Sequence, residues 1–226
     1  MVWTQALEIV PGVTAVIGGG GKTTLLRTLG GELAAAGHAV LLCTTTKIFP
    51  FPGIPCVTEG GEAALRAAVA ESRLVCAGTA LENGKLTAPE LPVRELAALF
   101  EYVLVEADGA ARRPMKAHAP HEPVIPPETG QTVCVAGASG FRRTIREGAH
   151  RPERYAALAG AKETDRITPE MAAAVLRAEG LHRRLLVNQA ELAPGAAMEL
   201  AELAGCPAIA GSLRLGKIFK EGWMRC

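Results

Sequence analysis

The chain has 226 residues, of which 49% are hydrophobic and 21% are charged. That apolar fraction is enough for a substantial core and argues against intrinsic disorder. The 24 Lys and Arg residues nearly balance the 23 Asp and Glu residues, and aromatic residues make up only 4%. We therefore expect neither a basic surface for nucleic acid nor a set of aromatic side chains that stack on bases.

The apolar segments of the chain are short. No run of 18 or more apolar residues is present, so no transmembrane helix and no membrane partner are expected. The first basic residue is Lys22, which argues against a secretory signal.

The six cysteines form no Cys-x-x-Cys pair. This pattern favours reduced thiols in the core, with Cys226 exposed at the terminus, and a cytoplasmic protein.

Short apolar runs alternate with Ala- and Leu-rich amphipathic segments along the chain. The pattern predicts strands at 13–17, 39–43, 73–77, 102–105, 132–136, 185–187 and 207–210, and helices at about 22–36, 61–70, 93–100, 154–159, 169–178 and 195–203. Asn83-Gly84 predicts a hairpin turn. The alternation of strands and helices predicts a single α/β domain over 1–226, with a mainly parallel sheet and helices on both faces. The proline-rich stretch at about 109–127 lies between strands and is expected to be a functional insertion.

The strongest chemical signal is a glycine-rich loop between the first strand and the first long helix. It consists of Gly18, Gly19, Gly20, Gly21, Lys22, Thr23 and Thr24. Glycines allow backbone N–H groups to surround phosphate oxygens, and a helix N-terminus adds partial positive charge. In a P-loop, the lysine contacts the β- and γ-phosphates and the hydroxyl of the next residue binds Mg²⁺. Lys22 and Thr23 are the candidates for these two roles. The loop therefore predicts a P-loop NTPase-like three-layer sandwich that binds Mg²⁺ with ATP or GTP.

The loop departs from the usual P-loop spacing. The glycine expected six residues before the lysine is Val16, which leaves a shorter G-x-x-G-K-T loop of the kind seen in Mur-type amide ligases. A flexible glycine turn without a ligand is the alternative interpretation. The preceding strand and the following helix favour phosphate binding.

Two carboxylates and a threonine cluster follow neighbouring predicted strands. Glu106 and Asp108 come directly after the apolar run at 102–105, and either is a candidate to hold Mg²⁺ or to orient an attacking water. An acidic strand end turning into solvent is the plain alternative. Thr45 lies in the cluster after the second strand, at the edge where ligands bind in α/β sheets, and is a further candidate for Mg²⁺. An ordinary β-branched strand end explains it equally well.

Asn188 and Glu191 lie where GTPases carry N-K-x-D after a late strand. Glu191 is a candidate to accept hydrogen bonds from guanine, but the lysine of the motif is replaced by Gln189. These residues are equally compatible with an ordinary strand-to-loop junction, so ATP and GTP both stay open.

The proline-rich insertion carries charged residues that are candidates to bind an anionic substrate or a client protein. They are Arg112, Arg113, Lys116, His118 and Glu122. No register typical of a zinc site accompanies the histidines, so a structural or solvated role is expected for His118.

Five motifs in the same order resemble one family. They are Gly-Gly-Gly-Gly-Lys-Thr-Thr, Thr-Thr-Thr-Lys-Ile, Glu-Ala-Asp-Gly-Ala, Lys-Ala-His-x-Pro-x-Glu-Pro-Val-Ile-Pro, and His150 to Arg154. The chain resembles the YqeC-like accessory proteins of selenium-dependent hydroxylases. The resemblance implies a nucleotide-binding P-loop protein that assists maturation of a selenium-dependent molybdenum hydroxylase, with that enzyme or its cofactor-maturation enzymes as partners. The segment of this chain from Gly137 to Arg143, after the fifth predicted strand, departs from the family's pattern.

The leading hypothesis is a Mg²⁺-dependent NTPase in which Lys22, Glu106 and Asp108 act on the nucleotide. An ATP-dependent ligase or kinase for a small anionic substrate is the first alternative, suggested by the short loop, although the chain is short for a Mur-type ligase. A nucleotide-responsive binding module without turnover is the second alternative.

Overall fold

The secondary structure alternates strands and helices along the chain. The computed structural model describes residues 2–222, and side chains up to residue 219. The strands are β1 (Gly12–Gly18), β2 (Val40–Thr44), β3 (Cys56–Val57), β4 (Leu74–Ala77), β5 (Thr79–Ala80), β6 (Leu86–Thr87), β7 (Tyr102–Glu106), β8 (Met115–Lys116), β9 (Thr129–Gly137), β10 (Ala149–His150), β11 (Arg184–Asn188), β12 (Ala208–Ser212) and β13 (Lys217–Gly222). The helices are α1 (Trp3–Ala6), α2 (Lys22–Ala35), α3 (Gly61–Glu71), α4 (Val93–Leu99), α5 (Ile145–Gly148), α6 (Pro152–Ala159), α7 (Pro169–Glu179) and α8 (Pro194–Leu203). Two 3₁₀ turns lie at Ala138–Arg142 and Ala190–Leu192.

The chain divides into two compact units. The first unit consists of Met1–Val16, Thr23–Asp108 and Val124–Gln131. The second consists of Ile17–Lys22, Gly109–Pro123 and Thr132–Cys226. One boundary between the units falls inside the glycine-rich loop, between Lys22 and Thr23.

The first unit contains a parallel sheet in the order β1-β7-β2-β4-β3. Its central strands are apolar because they are covered on both sides, as expected of parallel strands. On one face, Leu41 and Val103 pack in a cluster with Leu65 of α3 and Leu96 of α4. On the other face α2 approaches closely, because a Cβ placed on Gly30 would lie 3.0 Å from a methyl group of Leu42. This unit is therefore a three-layer sandwich.

The second unit contains the strand order β9-β11-β12-β13. β9, β11 and β12 are parallel, and β13 is an antiparallel edge strand. Helices α6, α7 and α8 pack in sequence, and α8 also packs on β11 and β12. Helix α7 begins after Thr168, whose side chain accepts a hydrogen bond from the Met171 N–H and so caps the helix.

The expected α/β class and mainly parallel strand pairing are confirmed. The predicted hairpin is also confirmed, because β5 and β6 pair antiparallel on either side of Asn83-Gly84. The short elements α1, β3, α5, β8 and β10 and the edge strand β13 were not expected, because they carry no long apolar run. Within residues 2–222, no helix is long and apolar enough to cross a membrane. The interpretation of the chain as one domain stays a prediction.

The described cysteines correct one expectation. Cys43, Cys76 and Cys134 are buried, and all the described cysteines are free thiols. Cys56 is exposed rather than in the core because it lies on the two-residue edge strand β3. The prediction for Cys226 lies outside the described residues.

Candidate functional site

In the second unit, Gly18, Gly19 and Gly20 of the loop lie too close to neighbouring backbone for any side chain. A Cβ on Gly20, which has a φ of +68°, would lie 2.3 Å from the amide nitrogen of Gly137. Gly19 N–H donates to the carbonyl of Val135 at 2.8 Å, and Gly20 N–H donates to that of Arg113 at 3.3 Å. Glycine is required here because only it tolerates both the backbone conformation and the close approach.

Lys22 is held inside the second unit beside the loop that it ends. The residue is only 5% exposed, and its Nζ donates to the Gly18 carbonyl at 2.7 Å. The ammonium group is therefore positioned over the loop backbone, where a P-loop lysine contacts phosphate.

Asn188 fastens the same loop. Its Nδ2 donates to the Gly20 carbonyl at 2.7 Å, and its Oδ1 accepts from the Leu213 N–H at 3.0 Å. Both ends of the amide are thus used in holding backbone. Base recognition by Asn188 stays a prediction, and loop support is a role that the sequence pattern did not indicate.

In the first unit, Glu106 ends β7 between two parallel strands, β1 and β2. The parallel register pairs it with Val16 of β1 and with Thr44 of β2. Glu106 is only 7% exposed, and its Oε2 accepts a hydrogen bond from the Thr23 hydroxyl at 2.7 Å. A buried carboxylate therefore meets the hydroxyl at the start of α2, as the loop pattern requires for a Mg²⁺ site.

The other predicted metal ligands lie in the same unit with different contacts. Asp108 is fully buried. The Thr45 hydroxyl donates to the backbone carbonyl of Val124 at 2.7 Å rather than to a carboxylate. It is Thr44, one residue earlier, whose hydroxyl donates to the backbone carbonyl of Glu106 at 2.7 Å. Metal binding by Thr45 stays a prediction.

Lys116 and Glu122 of the proline-rich insertion form an ion triad with Arg151 inside the second unit, in which Lys116 is buried and Arg151 is partly exposed. Lys116 Nζ lies 3.1 Å from Glu122 Oε2, and Arg151 Nε donates to Glu122 Oε1 at 2.8 Å. Lys116 Nζ also donates to the Gly109 carbonyl. Burial opposes ionisation of Glu122, but the hydrogen bonds from Arg151 and Lys116 outweigh it and lower its pKa to about 2. The carboxylate is therefore charged throughout the physiological range.

His118 is a second buried anchor of the insertion. Its backbone N–H donates to Glu179 Oε1 at 2.6 Å, and its Nδ1 lies 2.8 Å from Glu179 Oε2. Both side chains are less than 10% exposed. The structural role expected for His118 is therefore what the geometry shows, and α7 supplies its partner.

The arginines of the insertion differ in their surroundings. Arg112 is exposed and has a positive φ of +61°. Arg113 is partly buried, and its guanidinium donates to the Glu147 carbonyl. Of the predicted client-binding residues, Lys116, His118 and Glu122 are thus occupied in internal pairs, and Arg112 faces solvent. Client binding by these residues stays a prediction.

Sequence reasoning missed two residues that organise the insertion. Arg151 lies in the motif from His150 to Arg154, and that motif was the available signal. Glu179 lies at the C-terminal end of α7, and no local pattern connects it with a histidine 61 residues away. Glu191, predicted to contact a base, has its Oε1 3.3 Å from Arg214 Nη2.

A cavity lies behind the loop within the second unit. Its empty space, counting the part open to solvent, is about 280 Å³, and its lining includes Gly18, Gly19, Lys116 and Tyr155. The Tyr155 hydroxyl is buried and has no hydrogen-bond partner among the described residues. Burial raises the pKa of that phenol, so it stays protonated.

No group of three or more His, Cys, Asp or Glu side chains in the described part of the chain is arranged to hold a metal ion. The Thr23–Glu106 pair offers two oxygen ligands. Mg²⁺ is commonly held by one or two protein oxygens together with substrate phosphates and water. The residues therefore fit a Mg²⁺ ion that arrives with a nucleotide, and they do not fit an all-protein metal cage.

The family model described as YqeC protein matches residues 14–153. The chain belongs to the YqeC family. The matched region contains the whole glycine-rich loop, both carboxylates and the ion triad, which confirms the resemblance seen in the motifs. Asn188 and Glu191 lie beyond the match, so the family resemblance gives no support to their predicted role in base recognition.

A curated relative in the YqeC family is the uncharacterized protein YqeC of Escherichia coli (strain K12). It is 31% identical over 157 residues, which cover 66% of this chain and 61% of that protein. The chain thus spans about 61% of the length of the relative that it matches. Among solved structures, HypB from Helicobacter pylori in complex with nickel is 10% identical and aligns with a TM-score of 0.37. That alignment covers 89% of this chain and 79% of HypB.

Proposed function

We propose that this YqeC-family chain binds a nucleoside triphosphate with Mg²⁺ and hydrolyses it slowly. The observation that carries the proposal is the 2.7 Å hydrogen bond between the Thr23 hydroxyl and the buried carboxylate of Glu106. Such a pair directly after a glycine-rich loop is the arrangement that P-loop proteins use for a nucleotide-bound metal. ATP and GTP are both compatible with the residues.

The loop supplies the phosphate site. Because Gly19 and Gly20 direct their N–H groups to protein carbonyls, we assign phosphate binding to the N–H groups from Gly21 onward at the start of α2. A helix N-terminus favours anions there. Lys22 adds a positive charge once its ammonium exchanges the Gly18 carbonyl for a phosphate oxygen.

Mg²⁺ would be held by the Thr23 hydroxyl and the Glu106 carboxylate. When bound, it neutralises charge on the phosphate oxygens during transfer. Glu106 is assigned to the metal rather than Asp108 because Glu106 is the carboxylate hydrogen-bonded to Thr23. Asp108 is then the carboxylate assigned to orient the attacking water.

The direct test is a binding screen of ATP, GTP and CTP by isothermal titration calorimetry, with Mg²⁺ and with EDTA. We expect Mg²⁺-dependent binding that weakens about 10- to 150-fold in Lys22→Ala, the loss of one hydrogen bond to a charged group. Thr23→Val keeps the shape of the side chain and should remove the dependence on Mg²⁺. Lys162→Ala, at an exposed lysine, is the matched control and should bind as the wild type does. Absence of Mg²⁺-nucleotide binding in the wild type would refute the proposal.

Turnover distinguishes hydrolysis from the other candidate functions. Phosphate release without an acceptor, slowed in Asp108→Asn while binding is kept, is the result expected of an NTPase. Release that depends strictly on an added small anionic acceptor would assign a ligase or kinase instead. Tight binding without release, even with a client hydroxylase present, would assign a binding module.

We further propose that the nucleotide cycle assists maturation of a selenium-dependent molybdenum hydroxylase or its cofactor. The family membership and the motif resemblance support this role. The test is hydroxylase activity and cofactor content in cells whose only copy of the chain carries Lys22→Ala. Full activity in those cells, with the variant protein present at the wild-type level, would refute a nucleotide-dependent role in maturation.

A further inference from the structure

A pair of cysteines lies across two neighbouring strands of the first unit, apart from the loop and the carboxylates. Cys56 of β3 is in register with Cys76 of β4 in a parallel pairing. The Cys76 N–H donates to the Pro55 carbonyl at 2.8 Å, which fixes the two strands at this position. Cys56 is exposed and Cys76 is buried.

The separation of the two residues suits a covalent bond. Neighbouring strands lie about 4.8 Å apart, and disulfides join Cα atoms that are usually about 4.4–6.8 Å apart. Residues in register across a parallel pair also direct their side chains to the same face of the sheet.

The two thiols differ in acidity. The hydrogen bond with Cys76 lowers the pKa of Cys56 to about 7, although partial burial opposes this shift. The same hydrogen bond and burial raise the pKa of Cys76. At neutral pH the exposed thiol is therefore the nucleophile, and the buried thiol remains protonated beside it.

We propose that Cys56 and Cys76 form a redox-active dithiol that is oxidised to an intramolecular disulfide by small-molecule disulfides of the glutathione class. The Cys56 thiolate attacks one sulfur of the small disulfide, forms a mixed disulfide and releases the first thiolate. The Cys76 thiol then attacks Cys56 Sγ, and its proton leaves with the second small thiol. The two cysteines are oxidised and one small disulfide is reduced to two thiols.

The test exposes the whole chain to oxidised glutathione at pH 7, followed by alkylation and peptide mapping by mass spectrometry under non-reducing conditions. We expect a peptide crosslinked through Cys56 and Cys76, and recovery of both thiols after reduction. Cys76→Ser should stop at a glutathione adduct on Cys56. Cys56→Ser should leave Cys76 without an adduct, because the second thiol is buried.

Cys206 is the matched control because it is a partly buried thiol whose pKa burial raises. Because the pKa of Cys56 is lowered and that of Cys206 is raised, a larger fraction of Cys56 is thiolate at pH 7, and this gain exceeds the loss of intrinsic nucleophilicity that accompanies a lower pKa. Cys56 should therefore react with oxidised glutathione faster than Cys206. This rate comparison is made in the wild-type chain and does not depend on whether a variant folds.

Two results would overturn the proposal. One is a wild-type chain in which Cys56 keeps its glutathione adduct and no crosslink to Cys76 appears. The other is reaction of Cys56 no faster than Cys206 across pH 6 to 8. Either result leaves nucleotide binding by the loop unaffected, since that proposal has its own test.

Discussion

Substituting Glu122 by glutamine removes the central charge of the buried triad in the second unit. The side chain of Lys116 is only 1% exposed, that of Glu122 is 11% exposed and that of Arg151 is 30% exposed. The amide of glutamine has nearly the shape of the carboxylate but no charge. Glu122→Gln therefore removes the negative charge that Lys116 and Arg151 both contact, while the hydrogen bond from Lys116 to the Gly109 carbonyl is kept.

Breaking one partner of a buried ion pair costs about 3–5 kcal/mol of stability, because the remaining charge stays desolvated. In a chain of this length, each kcal/mol lowers the melting temperature by about 2–4 °C. The expected fall is therefore about 6–20 °C. Thermal unfolding followed by circular dichroism measures it, and urea unfolding gives the free energy directly.

The exposed ion pair between Arg146 and Glu163 is the matched control. Arg146 is 67% exposed in this pair, and its Nε lies 3.3 Å from Glu163 Oε2. Exposed pairs contribute about 0–1 kcal/mol, so Glu163→Gln should change the melting temperature by no more than a few degrees. Comparing the two variants shows how much of the stability loss comes from burial of the charges rather than from removing one charge.

The pH dependence has a definite sign. The folded pKa of Glu122 is lowered from 4.5 to about 2, so its contribution is fully present above about pH 4.5 and is lost as the pH falls towards 2. The gap between wild type and Glu122→Gln should shrink over that interval and stay constant between pH 6 and 8. A loss below about 1 kcal/mol at pH 7, equal to that of Glu163→Gln, would refute the assignment of a buried, charged triad.

Three further variants test the second unit by urea unfolding. Gly20→Ala should lower the free energy of unfolding by about 1–3 kcal/mol or more, because Gly20 has a φ of +68° and its added Cβ would lie 2.3 Å from the nitrogen of Gly137. A variant as stable as the wild type would contradict the loop geometry. Tyr155→Phe should be neutral or stabilising, because it removes a buried hydroxyl that has no hydrogen-bond partner among the described residues. A loss above about 1 kcal/mol would indicate a bound ligand or water at that hydroxyl. Glu179→Gln should cost about 1–3 kcal/mol, because one carboxylate holds both the backbone and the ring of His118; an unchanged midpoint would show that this pair is dispensable.

The long strands and helices were predictable from the sequence because their signals are local. The apolar run 102–105 forms most of β7, and the amphipathic segment 169–178 forms most of α7. β8 and β10 were missed because each has only two residues and exists through pairing with the other, 34 residues away. β13 was missed because its polar sequence reads as a loop and becomes a strand by pairing with β12.

Some residues of the candidate site were likewise predictable from local sequence, and others were not. Lys22 and Thr23 were identifiable because a glycine loop with Lys-Thr at a helix start is a contiguous pattern. Glu122 was identifiable as a charged residue of the insertion, but its partner Arg151 is 29 residues away and pairs with it only in the folded chain. The exposed thiol of Cys56 was wrongly expected in the core, because burial of a two-residue edge strand depends on what covers it.

The sequence by itself determined that this chain has a glycine-rich loop between a strand and a helix, because glycine conformation and the order strand, loop, helix are properties of consecutive residues. It also placed two carboxylates at the end of β7, but it did not distinguish them, since residues two apart in a strand point to the same face. The tertiary structure gives the two carboxylates different contacts. The register of β7 with β1 and β2 brings the carboxylate of Glu106 to 2.7 Å from the Thr23 hydroxyl, and strand register is set by pairing between residues far apart in the chain.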